Sequence, residues 1–535
     1  MTVAGNNRIE LNIGDPKSDG ECLINGFSGP GGHGGKLSRG LNQDARMLLP
    51  AFRGVENTVT MVLLCPKPPN ALEVSSGRST LGSIAFKTAE WTTFTFSVPA
   101  DAVDSKGFVA LSLRFESFGG VTAWTPSTGH MSSVTIEAKG GQAPPGRPAP
   151  CAPEHSLYFG DPHGHSDFSF CDKPYSGSPK ENYEYARDEA DLDFFALADH
   201  AEHMDDDVWA EATEISDSFN AAGSFVTIPC YEWTSELFGH RNVYHREAAG
   251  KQFGSVHPAT NTPKKLWKAL KEQGNPAITI PHHPSRIEFT GTWSHYDPEF
   301  VPAVEIYSKW GASEYYGNIR QEKHKTVIGC FAQDALARGH RIGFVGGGDA
   351  HVLMPGTRGI TGVFAESLER TQIYDGVKDR RCYATTGARI GLDFRLNQRL
   401  MGRELVVTPY QAEALYPLVL YVSVAPTAPI EKIEIIESNQ VIYTYTFTTG
   451  GGHPGYHSEM LEPLSKKNGL ERISFWYVIE HPRKTWVPFG THQAGLPLRQ
   501  QNWDRYFYVR VSQADGHMAW SSPVWITVVP REDEV

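Results

Sequence analysis

From about residue 155 to 390, short apolar runs alternate with capped, amphipathic segments, and this alternation restricts the fold more than any other feature of the chain. Ser178-Pro-Lys-Glu181 is a capping box with proline in the first turn, and it predicts a helix through Tyr183, Ala186 and Ala190. Apolar runs follow at 194–198 and 225–230. Thr262-Pro263 opens a second helix with Leu266 and Leu270 on one face, leading to a strand at 277–280. Further strands are predicted at 304–307, 342–345 and 362–365, with a helical stretch to about Arg338 and a last helix carrying Ile373 and Val377 on one face. Repeated β-then-α units argue for a parallel α/β fold, with a barrel as the expected form.

The flanks have a different texture. Residues 1–140 read as all-β, with β-branched or alternating runs at 58–64, 91–97, 108–114 and 133–137 separated by Gly-, Pro- and Ser-rich turns, a sandwich pattern. The glycine-rich stretch 29–35 lacks the Lys-Ser/Thr pair of a phosphate loop and reads as a flexible loop. Residues 141–154 form a Pro/Gly-rich linker. Strand-like runs return at 416–424, 432–436, 443–447, 506–511 and 520–529, so 391–535 is expected to be a second sandwich-like domain around the α/β unit of 155–390.

A net charge of −12 with no dense Lys/Arg run gives no footprint for nucleic acid, so none is expected as a partner. No run of about 18 apolar residues suggests a membrane span. Seven dispersed cysteines without a CxxC, and an N-terminus without an apolar h-region, predict reduced thiols and a cytoplasmic protein.

The chemistry-bearing residues cluster at or just after the ends of the apolar runs, where barrels carry their sites. They are His163 and His165, Asp199-His200, Glu232, His240, His282-His283, and Asp349-Ala-His351. Histidines two apart on an extended backbone leave the same side and can reach one cation, and Asp349/His351 repeats that spacing. Imidazoles and carboxylates without thiolates suit Zn, Mn or Fe. The donors exceed what one ion needs, and Glu232 is placed to bridge, so two or three divalent cations are predicted. His240 is favoured over His245 for one ligand position, and one of His282 and His283 is expected to ligate. Asp199 or His200 is the expected proton-handling group. Arg286 and Arg358 are each able to pair with a phosphate, and Glu305 to orient a ligand histidine. Trp293 and Trp310 read equally as pocket wall or core.

The order HxH, DH, Glu, His, HHP and DxH resembles the PHP (polymerase and histidinol phosphatase) domain, in particular a group with β-rich segments on both sides. The resemblance is carried by Ala196-Leu-Ala-Asp-His200, Gly239-His-Arg-Asn-Val-Tyr244, Pro281-His-His-Pro284, Gly346-Gly-Gly-Asp-Ala-His351 and Tyr383-Ala-Thr-Thr-Gly-Ala-Arg389. It implies a distorted (β/α)7 barrel, a trinuclear site and phosphoesterase-type hydrolysis of a small-molecule ester by a metal-bridging hydroxide. It further implies His163, His165, Glu232 and Asp349 on one metal, His200 and His351 on a second, and Glu232, His240 and His283 on a third. Such domains carry a His or Asp a few residues beyond the HxH. Here the stretch reads Phe170-Cys171-Asp172, so Cys171 or Asp172 would substitute. His203 is expected outside the ligand shell. The rival readings are hydrolysis of another ester or an amide, and a non-catalytic, metal-stabilised binding protein.

Overall fold

The computed structural model describes residues 2–3, 8–13, 23–33, 36–77, 79–103, 107–116, 128–141, 155–170, 175–247, 249–286, 293–322, 325–407, 415, 418–446, 473–479 and 503–529. The expected linker lies almost wholly outside them, and so do Cys171, Asp172, His453, His457 and His492.

The N-terminal strands form one antiparallel network, in which Gly129–Ala138 pairs with Arg8–Asn12, Lys36–Pro50 and Asn57–Leu64. Alternation along Asn57–Leu64 and Phe108–Phe115 puts Val59, Met61, Leu63, Val109, Leu111 and Leu113 into a single core. The glycine-rich stretch differs from expectation. Its backbone is strand as far as His33, and Gly31, Gly32 and His33 pair with Ser38, Leu37 and Lys36. Glycines remove the side chains that would otherwise report a strand's alternation, so the pattern was silent there.

In the central region the helices form where their caps predict. Ser178 accepts from Glu181 N and completes the capping box of Pro179–Glu184, and Thr262 caps Pro263–Glu272. A closed, hydrogen-bonded (β/α)7 ring is not shown among the described residues. Ser156–Gly164, Phe194–Leu197 and Val226–Thr227 are parallel neighbours, as are Ala303–Ser308 and Gly343–Gly346. Ile360–Ala365, however, pairs antiparallel with Ser156–Gly164 and with Cys382–Thr385. Cys230–Trp233, Arg241–His245 and Ala277–Pro281 make a separate antiparallel sheet. The helical stretch expected up to Arg338 is confined to Ala332–Ala337. Periodicity does not report strand direction, and here connections that carry a helix, 246–276 and 366–381, join antiparallel strands.

The sheet also continues past residue 390. Cys382–Thr385 pairs with Met518–Ser521, which leads through Trp503–Gln513 to Ile430–Glu437. Gly391–Leu396, Leu418–Ala425 and Ile473–Ile479 form a second sheet, and the two enclose a core containing Phe394, Leu420, Val422, Ile433, Val509 and Val511. At the junction the buried Glu314 carboxylate accepts from Tyr508 Oη (2.7 Å), the Arg510 guanidinium (2.7 Å) and Trp520 Nε1 (2.8 Å). A buried charge needs such partners. His517 Nδ1 lies 2.9 Å from Thr386 Oγ1. No helix among the described residues is long and apolar enough to cross a membrane. The described cysteines, at 65, 230, 330 and 382, are buried free thiols.

Candidate metal centre

Ser156–Gly164 delivers the first histidines. Asp161, His163 and His165 alternate and are all fully buried. Asp161 accepts from the backbone N–H of His163 (3.0 Å), Gly348 (2.8 Å) and Gly356 (2.9 Å), so it draws the loop that carries Asp349 and His351 onto this strand. Burial pushes its carboxyl up to about 6, against those three donors. Asp349 N donates to His163 O and His165 N to Ala350 O, completing the seam. The glycines of Gly346-Gly-Gly348 make the approach feasible: a Cβ on Gly347 would lie 2.2 Å from Glu305 Oε2 and 2.7 Å from His163 Cβ. Asp349 and His283 themselves hold positive φ, 46° and 32°. Such strain in non-glycine residues costs about 1–3 kcal/mol each and gathers at functional sites.

The second set enters from the neighbouring strands. His200 and Glu232 meet in an isolated parallel bridge, with Glu232 N donating to Asp199 O at 2.9 Å. Glu232 lies inside the strand Cys230–Trp233, two positions from its start, and not beyond its end. His240 immediately precedes Arg241–His245, and His282 and His283 follow Ala277–Pro281.

These side chains converge. Glu232 Oε2 faces His165 Nε2 (3.4 Å), His282 Nε2 (3.5 Å) and His163 Nε2 (3.6 Å). Its Oε1 faces His240 Nδ1 (2.8 Å) and His200 Nδ1 (3.4 Å). Asp349 Oδ1 lies 3.5 Å from His351 Nδ1 and 3.6 Å from His165 Nε2, and its Oδ2 lies 4.0 Å from His283 Nε2. Four overlapping groups bring their donor atoms within 4.8 Å of one another: His163/His165/Asp349, His163/Glu232/His282, His165/His200/His351 and His240/His282/His283. Every described member of the predicted ligand set is therefore in the cluster; Asp172 lies outside the described residues.

The outer contacts set the tautomers. His163 Nδ1 lies 2.9 Å from Glu305 Oε2, the orienting role expected of Glu305. His165 Nδ1 lies 2.9 Å from Ser169 Oγ, which donates its own proton to Asp199 Oδ1 (2.5 Å) and therefore accepts from the ring. With both rings neutral, each Nε2 then carries a lone pair, and the two face each other at 3.2 Å. Two lone pairs at that distance repel unless a cation or proton lies between them. His282 adds to this: it is 1% exposed and neither ring nitrogen has a hydrogen-bond partner among the described residues. The donor set fits divalent cations.

Electrostatics agree. Burial would raise the Glu232 carboxyl, but His200, His282 and His240 hold it well below the usual carboxylate range. Asp349 is likewise held low against burial by His163, His165 and His351. Burial pushes His282 down to about 4 and, with His165 beside it, His351 to about 3. Burial would lower His163, yet Glu305 and Asp349 hold it well above its ordinary value. Ionised Glu232 and Asp349 beside imidazoles held low, His282 and His351 among them, suit a ligand set, in which a cation would replace the proton that His163 holds.

Some expectations change. Asp199, expected to handle protons, accepts from Ser166 N (2.7 Å), Ser166 Oγ (2.7 Å) and Ser169 Oγ, so both oxygens are committed to holding the loop after the HxH. His245 does not reach the cluster; it is fully buried beside Trp209 and Tyr231. Trp293 is core, donating to Phe331 O, and Arg358 is exposed. His203 lies behind His200, its Nδ1 on Ser169 O. Trp310 is at the site: its Nε1 donates to Asp349 Oδ2 at 2.6 Å, and the Arg286 guanidinium carbon lies 4.4 Å from its ring centroid. Sequence reasoning missed Lys309, whose Nζ donates to His351 Nδ1 at 2.7 Å, and Thr234, 2.8 Å from His200 Nδ1 and 3.0 Å from Glu232 Oε1. Thr234 follows Glu232 by two, a spacing that could have flagged it. Nothing in the pattern marks Lys309.

A family described as "Protein of unknown function (DUF3604)" matches residues 198–288 and 313–405. An uncharacterized protein of Chlamydia pneumoniae is 27% identical over 367 residues, 64% of this chain and 53% of that protein. One from Chlamydia trachomatis is 28% identical over 377 residues, with the same shares of the two chains. The chain thus spans about half the length of the curated relatives it matches. Among solved structures, a two-domain protein from Bacteroides vulgatus containing a predicted PHP-like metal-dependent phosphoesterase is similar over 70% of this chain and 96% of that chain, at 13% identity and a TM-score of 0.33. The C-terminal CBM6 of a marine laminarinase from Zobellia galactanivorans covers 24% of this chain and 99% of its own, at 13% identity and a TM-score of 0.18. Neither likeness is close enough to transfer an activity.

Proposed function

We propose that the chain is a metal-dependent hydrolase, with a small phosphoester as its leading substrate. The observation that carries this reading is Glu232, a buried carboxylate whose two oxygens face different sets of imidazoles. His163, His165 and Asp349 would hold one cation, His200 and His351 a second, and His240, His282 and His283 a third, with Glu232 between them. Zn, Mn or Fe fits these donors. Divalent cations bound there supply Lewis acidity and lower the pKa of water.

The chain's own residues do the rest. Glu305 and the Asp199–Ser169 pair hold His163 and His165 in the tautomer that turns Nε2 inward. Thr234 fixes His200 against Glu232, and Trp310 fixes Asp349. Arg286, beside Trp310, is the cation placed to hold a substrate oxygen. We place the protein in a reducing, cytoplasmic setting, which the buried free thiols support.

The test joins metal analysis of purified protein to a panel of phosphomonoesters, phosphodiesters, carboxyl esters and amides, run on wild type and Asp349→Ala. We expect bound metal, turnover of at least one phosphoester, and loss of that turnover by at least two orders of magnitude in the variant. Turnover confined to carboxyl esters or amides would move the reading to that class. Stoichiometric metal without turnover of any substrate would favour a binding protein.

A further inference from the structure

The structure assigns to Arg241 a second binding site, for a small oxyanion, on the face of its sheet turned away from the metal centre. The site stands on its own geometry and does not depend on the hydrolase reading.

Alternation along Arg241–His245 sends Asn242 and Tyr244 to one face and Arg241, Val243 and His245 to the other. Asn242 stands opposite Glu232, on the face of the ligands, whereas Arg241 stands opposite Trp233 and packs against the helix Pro263–Glu272. Its guanidinium carbon lies 5.5 Å from the centroid of the Trp233 ring and 5.9 Å from that of Trp267. Arg241 is 3% exposed, yet among the described residues no carboxylate pairs with it. Its one hydrogen bond runs from Nη2 to Phe238 O at 2.9 Å. Nε is buried without an acceptor, and Nη1 is neither bonded nor sealed from solvent. A buried cation without an anion is destabilising, and rings near the outer limit of about 6 Å offset only part of that.

The surroundings are positive as well. Phe238, whose carbonyl takes the Arg241 hydrogen bond, sets its ring 5.2 Å from that of His295. Burial, and then the charges of Arg241 and Lys264, hold the His295 imidazole below its ordinary value. Lys264 stands in the first turn of Pro263–Glu272, which contains no acid. A helix start favours negative charge, so a lysine there is unfavourable unless an anion comes to it. Lys265 is occupied with Pro258 O and Asn261 Oδ1, whereas Lys264 makes no ion pair among the described residues. The acids that follow His295 are engaged elsewhere: Glu299 pairs with Lys271, and Asp297 acts on the same ammonium. A guanidinium with free N–H bonds, a lysine and a helix start thus gather where no carboxylate answers them. A phosphate or carboxylate group supplies both the charge and the acceptors.

The experiment titrates the metal-loaded chain with inorganic phosphate and, separately, with acetate, by calorimetry. Binding at Arg241 should persist in Asp349→Ala, which separates it from anions held by the metals. Arg241→Met should weaken that binding by at least about tenfold, the worth of a hydrogen bond to a charged group. Lys264→Ala, which removes an exposed charge, should weaken it by about threefold. Without added anion, Arg241→Met should melt no lower than wild type, because an apolar side chain replaces an unpaired buried charge. Tighter phosphate than acetate assigns the site to a phosphoryl group, and the reverse order assigns it to a carboxylate. Loss of all anion binding in Asp349→Ala, or binding that neither Arg241→Met nor Lys264→Ala changes, overturns the inference. If Arg241→Met does not fold, Lys264→Ala decides alone, and an unchanged affinity in that variant overturns the site.

Discussion

Trp310 donates its indole N–H to Asp349 Oδ2 at 2.6 Å, while Asp349 Oδ1 faces His165 and His351. One residue outside the ligand set thus fixes the rotamer of a carboxylate that lies inside it. A ligand held this way reaches the cation without paying to be oriented.

Trp310→Phe keeps the ring and removes the donor. Metal affinity should fall roughly tenfold while the melting temperature of the metal-free protein changes little. Metal titration with calorimetry checks this, and an unchanged affinity would show that the Trp310 contact does not orient Asp349.

Gly347→Ala tests the close approach of the two ligand loops. Its Cβ would stand 2.2 Å from Glu305 Oε2, so the loop or Glu305 must move. Overpacking of this kind costs about 1–3 kcal/mol. The melting temperature should drop and bound metal should decrease with it; a variant with full metal content would mean the loop has slack.

His245 makes the fold sensitive to acid. Burial alone pushes its imidazole down to about 4, from 6.5 in the open chain, and neither ring nitrogen has a hydrogen-bond partner among the described residues. The unfolded chain therefore binds the extra proton between those values, and the contribution of the neutral ring, present in full above pH 6.5, is lost as pH falls toward about 4. The loss amounts to about 3 kcal/mol. His245→Leu should flatten the stability profile in this window, measured by urea denaturation from pH 4 to 7.

Chelation should lower stability as well as activity. Cations that bind only the folded chain stabilise it by about 3–4 kcal/mol when they are present at 100 to 1,000 times their dissociation constant. Differential scanning calorimetry should show a lower melting temperature in EDTA and its recovery on re-addition of Zn or Mn. An identical transition in both conditions would argue that the cluster binds nothing.

The ligands were legible because their spacing carries information along the chain. HxH at the end of an extended strand puts two donors on one side, and the capping residues Ser178 and Thr262 announce their helices locally, whereas Asp349 and His351 reach the site from a turn in which Asp349 has φ 46°. Orienting contacts were less legible. Glu305 could be inferred as an acid within an apolar run, although it lies inside the strand Ala303–Ser308 and not at its end, but Asp199 looks in sequence like a member of the site and in space serves Ser166 and Ser169. Lys309 carries no pattern, because its contact with His351 joins residues 42 positions apart.

What the sequence by itself determined is the inventory: imidazoles and carboxylates without thiolates, delivered at the ends of apolar runs. Only the tertiary structure decided how the strands pair. Ile360–Ala365 runs antiparallel to Ser156–Gly164, and Cys382–Thr385 joins a strand from the far end of the chain, so the hydrogen bonding divides into several sheets and the expected closed ring is not shown among the described residues. The physical reason is that burial pattern depends on which faces are covered, while strand direction depends on hydrogen bonds between distant residues. The same donors can be brought together by either arrangement, and the chain's local pattern does not choose between them.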